Sequence, residues 1–194
     1  DNERIDDLQI KGLRIIQNAK KFCFGIDAVL LANFAGQDMG SDCKVLDLGT
    51  GTGIIPLLIY GKTMAKSIVG LEIQEDMVTM ARRSMVLNQL HDIIEIVGGD
   101  IKNPPSGILP NYYDVIITNP PYMENKGGLI NPTEAKAISR HEILCNLEDI
   151  IKTARKYLRS RGKFYMIHRS HRLVDILSLM RDYNIERSEE HTSE

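Results

Sequence analysis

The sequence predicts an α/β fold, a three-layer sandwich with a mainly parallel central sheet covered by helices on both faces. From Lys44 onward, short β-branched runs alternate with helical patterns, the signature of βαβ units. A glycine-rich turn joins the first of those runs to a helix-like segment, as open α/β sheets require at a ligand edge. At 194 residues, with 43% hydrophobic and 26% charged, the chain has the size and composition of one globular domain. A disordered or collagen-like chain is excluded, because this much apolar surface can offset the entropy of ordering the backbone.

Along the chain, Asp27 to Ala35 reads as a short apolar helix after the Phe24-Gly25 turn. Strands are expected at Lys44 to Leu48, Ser67 to Ile73, Ile93 to Val97, Tyr113 to Thr118 and Lys163 to His168. Ile54 to Tyr60 is helix-like, and Gln74 to Leu90 sets Met77, Ala81 and Met85 on one helical face. Asn146 is a natural cap for a helix that runs through Leu158 and stops before Gly162. Ser170 to Asp182 forms the last helix. Asn103 to Asn111, with three prolines and a glycine, is a surface connection, whereas Tyr122 to Ala137 is a long polar loop of the kind that covers sites. A sheet closing on Lys163 to His168 leaves Phe164 to Ile167 as a bare hydrophobic edge. The expectation is one domain over residues 1 to 187, cut short of its last two strands, followed by a foreign-looking tail over residues 188 to 194.

Charge and cysteine narrow the function classes. With 24 basic and 26 acidic residues the net charge is −2, so no global positive field holds a polyanion and any nucleic-acid contact is local. The local candidate is the run Lys152, Arg155, Lys156, Arg159, Arg161, Lys163, Arg169 and Arg172, with no acidic residue between Lys152 and Arg172. Cations near a helix C-terminus also suit the helix dipole, so a plain solvated face is the competing reading. Cys23, Cys43 and Cys145 lack metal-ligand spacing and read as reduced, buried thiols of a cytoplasmic protein. The longest apolar stretch, Ile54 to Tyr60, is too short to span a bilayer. Neither a membrane nor a metal is expected as a partner, and a monomer is the default.

The chemistry gathers at two motifs. Asp47-Leu48-Gly49-Thr50-Gly51-Thr52-Gly53 runs a strand into glycines and then a helix N-terminus, where free N–H groups meet a polar or anionic ligand. A dinucleotide fingerprint needs its third glycine one residue later, where Ile54 stands, so NAD binding is disfavoured. Glu72 ends the second strand about 20 residues on, and Asp100 lies just past the third. Asp47 has a simpler alternative role, capping backbone N–H groups. At Asn119-Pro120-Pro121-Tyr122 a strand is stopped by prolines at the C-terminal edge of the sheet, where open α/β sheets bind ligands.

The order Asp-x-Gly-x-Gly-x-Gly resembles the first motif of Rossmann-like methyltransferases that bind S-adenosylmethionine. That resemblance implies ribose contacts from Glu72, adenine recognition by Asp100, and flanking contacts from Ile73 and Ile101, with Asp47, Gly49, Gly51 and Gly53 forming the cradle. The Asn-Pro-Pro-Tyr tetrapeptide resembles that of methyltransferases acting on planar nitrogens, either an adenine amine or a glutamine amide. On that resemblance Asn119 and the Pro120 carbonyl accept the N–H groups of the target, Asn119 also borders the cofactor, and Tyr122 stacks on the flat base. Such a transfer requires orientation and polar complementarity, with no covalent nucleophile.

Glu3 to Leu8, Phe22 to Leu31 and Arg140-His141-Glu142 sharpen the likeness to the bacterial tRNA(Val) adenine N6-methyltransferases. This likeness implies a tRNA substrate, Gly25 and Asp27 lying over the methionine end of the cofactor, and substrate contacts from Arg140, His141, Lys152, Arg155, Lys156 and Arg159. The runner-up is a glutamine N5-methyltransferase of release factors, whose N-terminal helical domain has little room in the residues before Asp47. The third reading is a module that keeps the cofactor and holds RNA without chemistry.

Overall fold

Five parallel strands carry the fold, each fed by a helix or loop that returns the chain to the starting edge of the sheet. The structure, a computed structural model, describes residues 2–20, 24–120 and 146–185. Strands β1 (Glu3–Asp7) and β2 (Arg14–Asn18) form an antiparallel hairpin. Helix α1 (Ile26–Gly36) leads to β3 (Lys44–Leu48), α2 (Ile54–Thr63), β4 (Ser67–Glu72), α3 (Glu75–Leu87), β5 (Ile94–Gly98) and β6 (Tyr113–Thr118). Helix α4 (Leu147–Tyr157), β7 (Leu158–Met166), a 3-10 turn (Ser170–Arg172) and α5 (Leu173–Asp182) complete the described chain.

The strand order is β5-β4-β3-β6-β7, all parallel. The chain winds outward from β3 through β4 to β5, then jumps back to place β6 on the other side of β3. That reversal opens the crevice in which α/β sheets hold ligands. One core cluster packs α1, α2 and α3 against one sheet face, around Ile15, Leu31, Leu57, Ile59 and Met85. A second, with Leu46, Leu48, Ile116, Ile150 and Tyr157, seals the other face under α4. Because β3 and β6 are buried on both faces, apolar residues stand next to each other in them, as in Val45-Leu46 and Val115-Ile116-Ile117, rather than alternating with polar ones.

Most element expectations hold to within a residue or two. Met77, Ala81 and Met85 are all buried on α3 as their spacing requires. Asn146 caps α4 in a full capping box: its side chain accepts the Asp149 N–H at 2.9 Å, and the Asp149 carboxylate accepts the Asn146 N–H at 3.1 Å. Of the three cysteines only Cys43 lies among the described residues, where it is a free, half-buried thiol.

Four differences are seen, and all but the start of the last helix have a tertiary cause. The expected helix through Leu158 ends one residue sooner, because Asn111 and Tyr112 donate to the carbonyls of Lys156 and Tyr157 and draw Leu158 into the sheet opposite Tyr113. The last strand therefore runs Leu158–Met166 rather than Lys163 to His168, with a register shift and Arg161 at φ 62°. The last helix opens with a 3-10 turn. The β1–β2 hairpin has no counterpart in the expected elements, since Glu3–Asp7 is nearly all charged. It forms because α3 holds it: Ser84 Oγ accepts the Ile16 N–H at 3.0 Å, and the Asn88 side chain bonds both N–H and C=O of Arg14 at 2.9 and 2.6 Å. The 188–194 tail lies outside the described residues.

Candidate functional site

Register assembles the site. Leu48 of β3 pairs with Leu71 of β4 on one side and with Thr118 of β6 on the other. The next residue of each strand is therefore Gly49, Glu72 or Asn119, and the three emerge at one level of the same sheet edge. At the spacing of adjacent strands they span about 10 Å. The buried Thr118 hydroxyl donates to the Leu48 carbonyl at 2.8 Å, which locks that level. Nothing in the pattern of residues marked Thr118 for this part except a polar side chain ending an apolar strand.

The glycines divide by task. Gly49 and Gly51 have φ of 77° and 56°, and an added Cβ would meet nothing closer than Ile101 Cδ1 at 3.9 Å for the first and nothing within 4 Å for the second. That space stays open on the ligand side. Gly53, at φ 83°, is closed in: a Cβ would stand 2.7 Å from Met85 Cε and 3.4 Å from Ala81 Cβ. It serves close packing of the turn on α3, while its carbonyl accepts the Leu57 N–H at 3.2 Å to start α2. Gly53→Ala is expected to destabilise the chain by about 1–2 kcal/mol, through left-handed strain and the Met85 contact. Urea unfolding checks this; an unchanged midpoint would refute the packing role.

Glu72 is 3% exposed, and its carboxylate is engaged on both oxygens. Oε2 accepts the Gly51 N–H at 2.9 Å, and Oε1 accepts the Gln74 N–H at 2.9 Å. The side chain thus stitches the glycine turn to the β4–α3 turn. A carboxylate offers about four lone-pair sites, so capacity remains for hydroxyl donors. Gly99 donates to the Glu72 carbonyl at 2.9 Å, which brings the turn carrying Asp100 alongside. Asp100 Oδ1 accepts the Lys102 N–H at 2.9 Å, and the Ile101 carbonyl accepts the Thr153 hydroxyl of α4 at 2.9 Å. Ile73 is an exposed apolar side chain directly after Glu72, and Ile101 reaches Gly49, so apolar groups flank the cradle.

Asp47 corrects its simpler reading. It is fully buried, and neither carboxylate oxygen has a hydrogen-bond partner among the described residues, so it caps nothing there. The Thr50 hydroxyl, buried beside the same turn, is likewise unpartnered among them. Burial pushes the Asp47 carboxyl up to about 7; Thr50 pulls it back, although its geometry falls short of a hydrogen bond, and the nearby Glu72 charge pushes it further up. Two buried polar groups without partners among the described residues thus lie beneath the glycine turn, a donor set that fits a polar ligand. Thr50 was not among the expected site residues; its place between two required glycines was the available signal.

Gly25 and Asp27 lie at the start of α1, a helix that packs on α2. Gly36 at the C-terminus of α1 packs on Lys62 and Thr63 at the C-terminus of α2, so the two helices run side by side. Gly25 and Gly53 precede the N-termini of these two packed helices. Gly25 is the N-cap of α1 with nothing within 4 Å of an added Cβ.

Asn119 is half-buried and Pro120 buried at the end of β6. Pro121, Tyr122, Arg140 and His141 fall outside the described residues. Lys152, Arg155 and Lys156 are exposed along one side of α4. Arg159 differs from the expected open cation, since its guanidinium pairs with the Asp114 carboxylate. Lys163 is likewise paired, to Asp38 at 2.7 Å. Among the described residues no cluster of three His, Cys, Asp or Glu side chains is placed to hold a metal, and no helix is long and apolar enough to cross a membrane.

Comparison with known proteins gives the family and the fold. The family model described as Methyltransferase small domain matches residues 25–184. The tRNA1(Val) (adenine(37)-N6)-methyltransferase of Porphyromonas gingivalis is 31% identical over 175 residues, covering 88% of this chain and 68% of that protein. The release factor glutamine methyltransferase of Shewanella oneidensis is 30% identical over 146 residues, covering 72% of this chain and 50% of that protein. Among solved structures, P. horikoshii TYW2 in complex with MeSAdo superposes with a TM-score of 0.66 at 15% identity, covering 95% of this chain and 61% of that one, a likeness of fold.

Proposed function

Since the chain belongs to the methyltransferase small domain family, we propose that it methylates N6 of an adenine in tRNA, the base at position 37 of tRNA1(Val), using S-adenosylmethionine. The observation that carries this reading is the common level of Gly49, Glu72 and Asn119, which sets a nucleoside-holding carboxylate and an amide acceptor on either side of one open turn. The relative matched over 88% of the chain acts, by its name, on that tRNA adenine.

When bound, S-adenosylmethionine supplies an electrophilic methyl on a sulfonium. The protein's residues do the rest. Glu72, already fixed by Gly51 and Gln74, accepts ribose hydroxyls; Asp100 takes the adenine amine, and Ile73 and Ile101 cover the ring faces. Asp47 lies under the turn as a buried anion-forming group that complements a cation. Asn119 Oδ1 and the Pro120 carbonyl accept hydrogen bonds from the substrate amine, which would turn its delocalised lone pair toward the methyl and hold the N–H groups as N6 becomes tetrahedral and cationic, its extra proton then passing to solvent. Tyr122 supplies the stacking face. The base must leave its loop to enter, at a cost of a few kcal/mol that is least for an unpaired nucleotide. Exposed Lys152, Arg155 and Lys156 on α4 offer phosphate contacts, with Arg159 reaching RNA only by giving up Asp114. Arg140 and His141 complete the proposed substrate surface, and the catalytic domain extends through Arg187.

Incubation with labelled S-adenosylmethionine and, separately, unmodified tRNA, duplex DNA and release factor tests the proposal. Label is expected in tRNA alone. Label in release factor alone selects glutamine methylation, and cofactor binding without any transfer selects the RNA-holding module.

A further inference from the structure

Gln17 sits on the face of β2 that it shares with Ile15, a side chain at the centre of the first core cluster. It is 1% exposed. An amide in that position needs both its ends bonded, because a buried polar group left unpaired loses its hydration without compensation. Both ends are bonded. Gln17 Nε2 donates to the Asp6 carboxylate across the hairpin, and Gln17 Oε1 accepts the Phe24 N–H at 3.1 Å. Phe24 directly precedes Gly25, the N-cap of α1, and α1 packs along α2, the helix that the glycine turn begins. The hairpin itself is anchored to α3 through Ser84 and Asn88, and Arg83 of the same helix pairs with Glu3 at 2.8 Å. A continuous chain of bonds therefore runs from α3 through the hairpin to the segment beside the cradle.

We propose that Gln17 is a positioning residue for the methyl donor: its carboxamide ties the β1–β2 hairpin to Phe24 and so fixes Gly25 and Asp27 beside the glycine turn, raising donor affinity without touching the donor. This rests on the cofactor reading of that edge. An apolar residue would fill the same space, so packing alone gives no reason for an amide. The two bonds are what distinguish Gln17 from its neighbours Ile15 and Ile16.

The experiment compares the whole chain with Gln17→Met, which keeps volume and removes both bonds. Asp6 stays partly exposed and bonded to Arg4 at 3.0 Å, and thus is not stranded. Three readouts are taken: calorimetric Kd for S-adenosylmethionine, exchange of the Phe24 amide by hydrogen–deuterium NMR, and steady-state methyl transfer. The expected result is Kd and donor KM raised about 5–10-fold, kcat within twofold, and Phe24 exchange about 10-fold faster, with exchange at Ile16 unchanged. A Kd within twofold of wild type alongside a deprotected Phe24 amide overturns the proposal, and so does a Phe24 amide that keeps its protection. Should Gln17→Met fail to fold, Asp6→Ala loosens the amide from a partly exposed position. It is expected to raise Kd about 2–3-fold with faster Phe24 exchange, and no change in either overturns the proposal. Wild-type chain that does not bind the donor at all defeats the cofactor reading itself, a result distinct from a variant that binds as well as wild type.

Discussion

Asn119→Ala is expected to lower kcat for tRNA methylation by about 10²–10³-fold, while Kd for S-adenosylmethionine changes by less than about threefold. The split comes from where Asn119 stands. The cradle is built by β3, β4 and the turn after β5, and it keeps its shape through Glu72, Gly51 and Gln74 whether or not the amide is present. The level of β6 is held independently by the Thr118 hydroxyl on the Leu48 carbonyl. On the proposed reading, removing the amide deletes an acceptor for the reacting amine and leaves the cradle's own bonds in place. Asn119→Asp preserves an oxygen acceptor at that point and is expected to retain part of the rate that alanine loses. Labelled transfer to unmodified tRNA, with equilibrium dialysis for the donor, measures both numbers. A full-speed Asn119→Ala enzyme would remove the residue from the chemistry.

Asp47→Asn is expected to make the ligand-free chain more stable at pH 8 by an amount on the order of 1–3 kcal/mol, and to weaken donor binding at the same time. The Asp47 carboxyl is pushed up to about 7 by burial, well above its ordinary value of 3.8. A folded-state value above the unfolded one means the native state binds the proton more tightly. Its contribution to stability is then complete below the unfolded value of 3.8 and is lost as pH rises through about 7. The asparagine variant does not titrate, so its unfolding free energy should change less between pH 4 and 8; the cost of an amide without a partner among the described residues offsets part of its gain at pH 8. Binding has the opposite sign. A cationic donor stabilises the Asp47 anion, lowers its pKa and releases a proton, so wild-type affinity should rise with pH up to about 7 while the variant's stays flat. Urea unfolding and calorimetry across this range test both halves. A wild-type Kd independent of pH would show that Asp47 does not face the donor.

The two effects draw on different parts of what the sequence carries. Asp47, the glycines, Glu72 and the Asn119-Pro120 end of β6 were readable because each obeys a local rule: a buried apolar strand, then a residue type that stops or bends it. What those rules do not contain is distance along the sheet. That Gly49, Glu72 and Asn119 share one level depends on parallel pairings between residues far apart in the chain. The state of Asp47 was also unreadable, since desolvation is a property of the atoms packed around a carboxyl and not of its neighbours in sequence. The same holds for the basic run, where Arg159 has a partner in Asp114 that local sequence does not bring near.

The amino-acid order by itself determined the αβ alternation, the place of four of the five strands in the main sheet to within a residue, the helix cap at Asn146 and the two motifs of the site. These are short-range matters of periodicity, backbone freedom and capping, decided within a turn or two of chain. Tertiary structure alone decided the β1–β2 hairpin, the early end of α4 and the unpartnered burial of Asp47. Each of these comes from a hydrogen bond or a desolvation contributed by residues that only the folded packing makes neighbours.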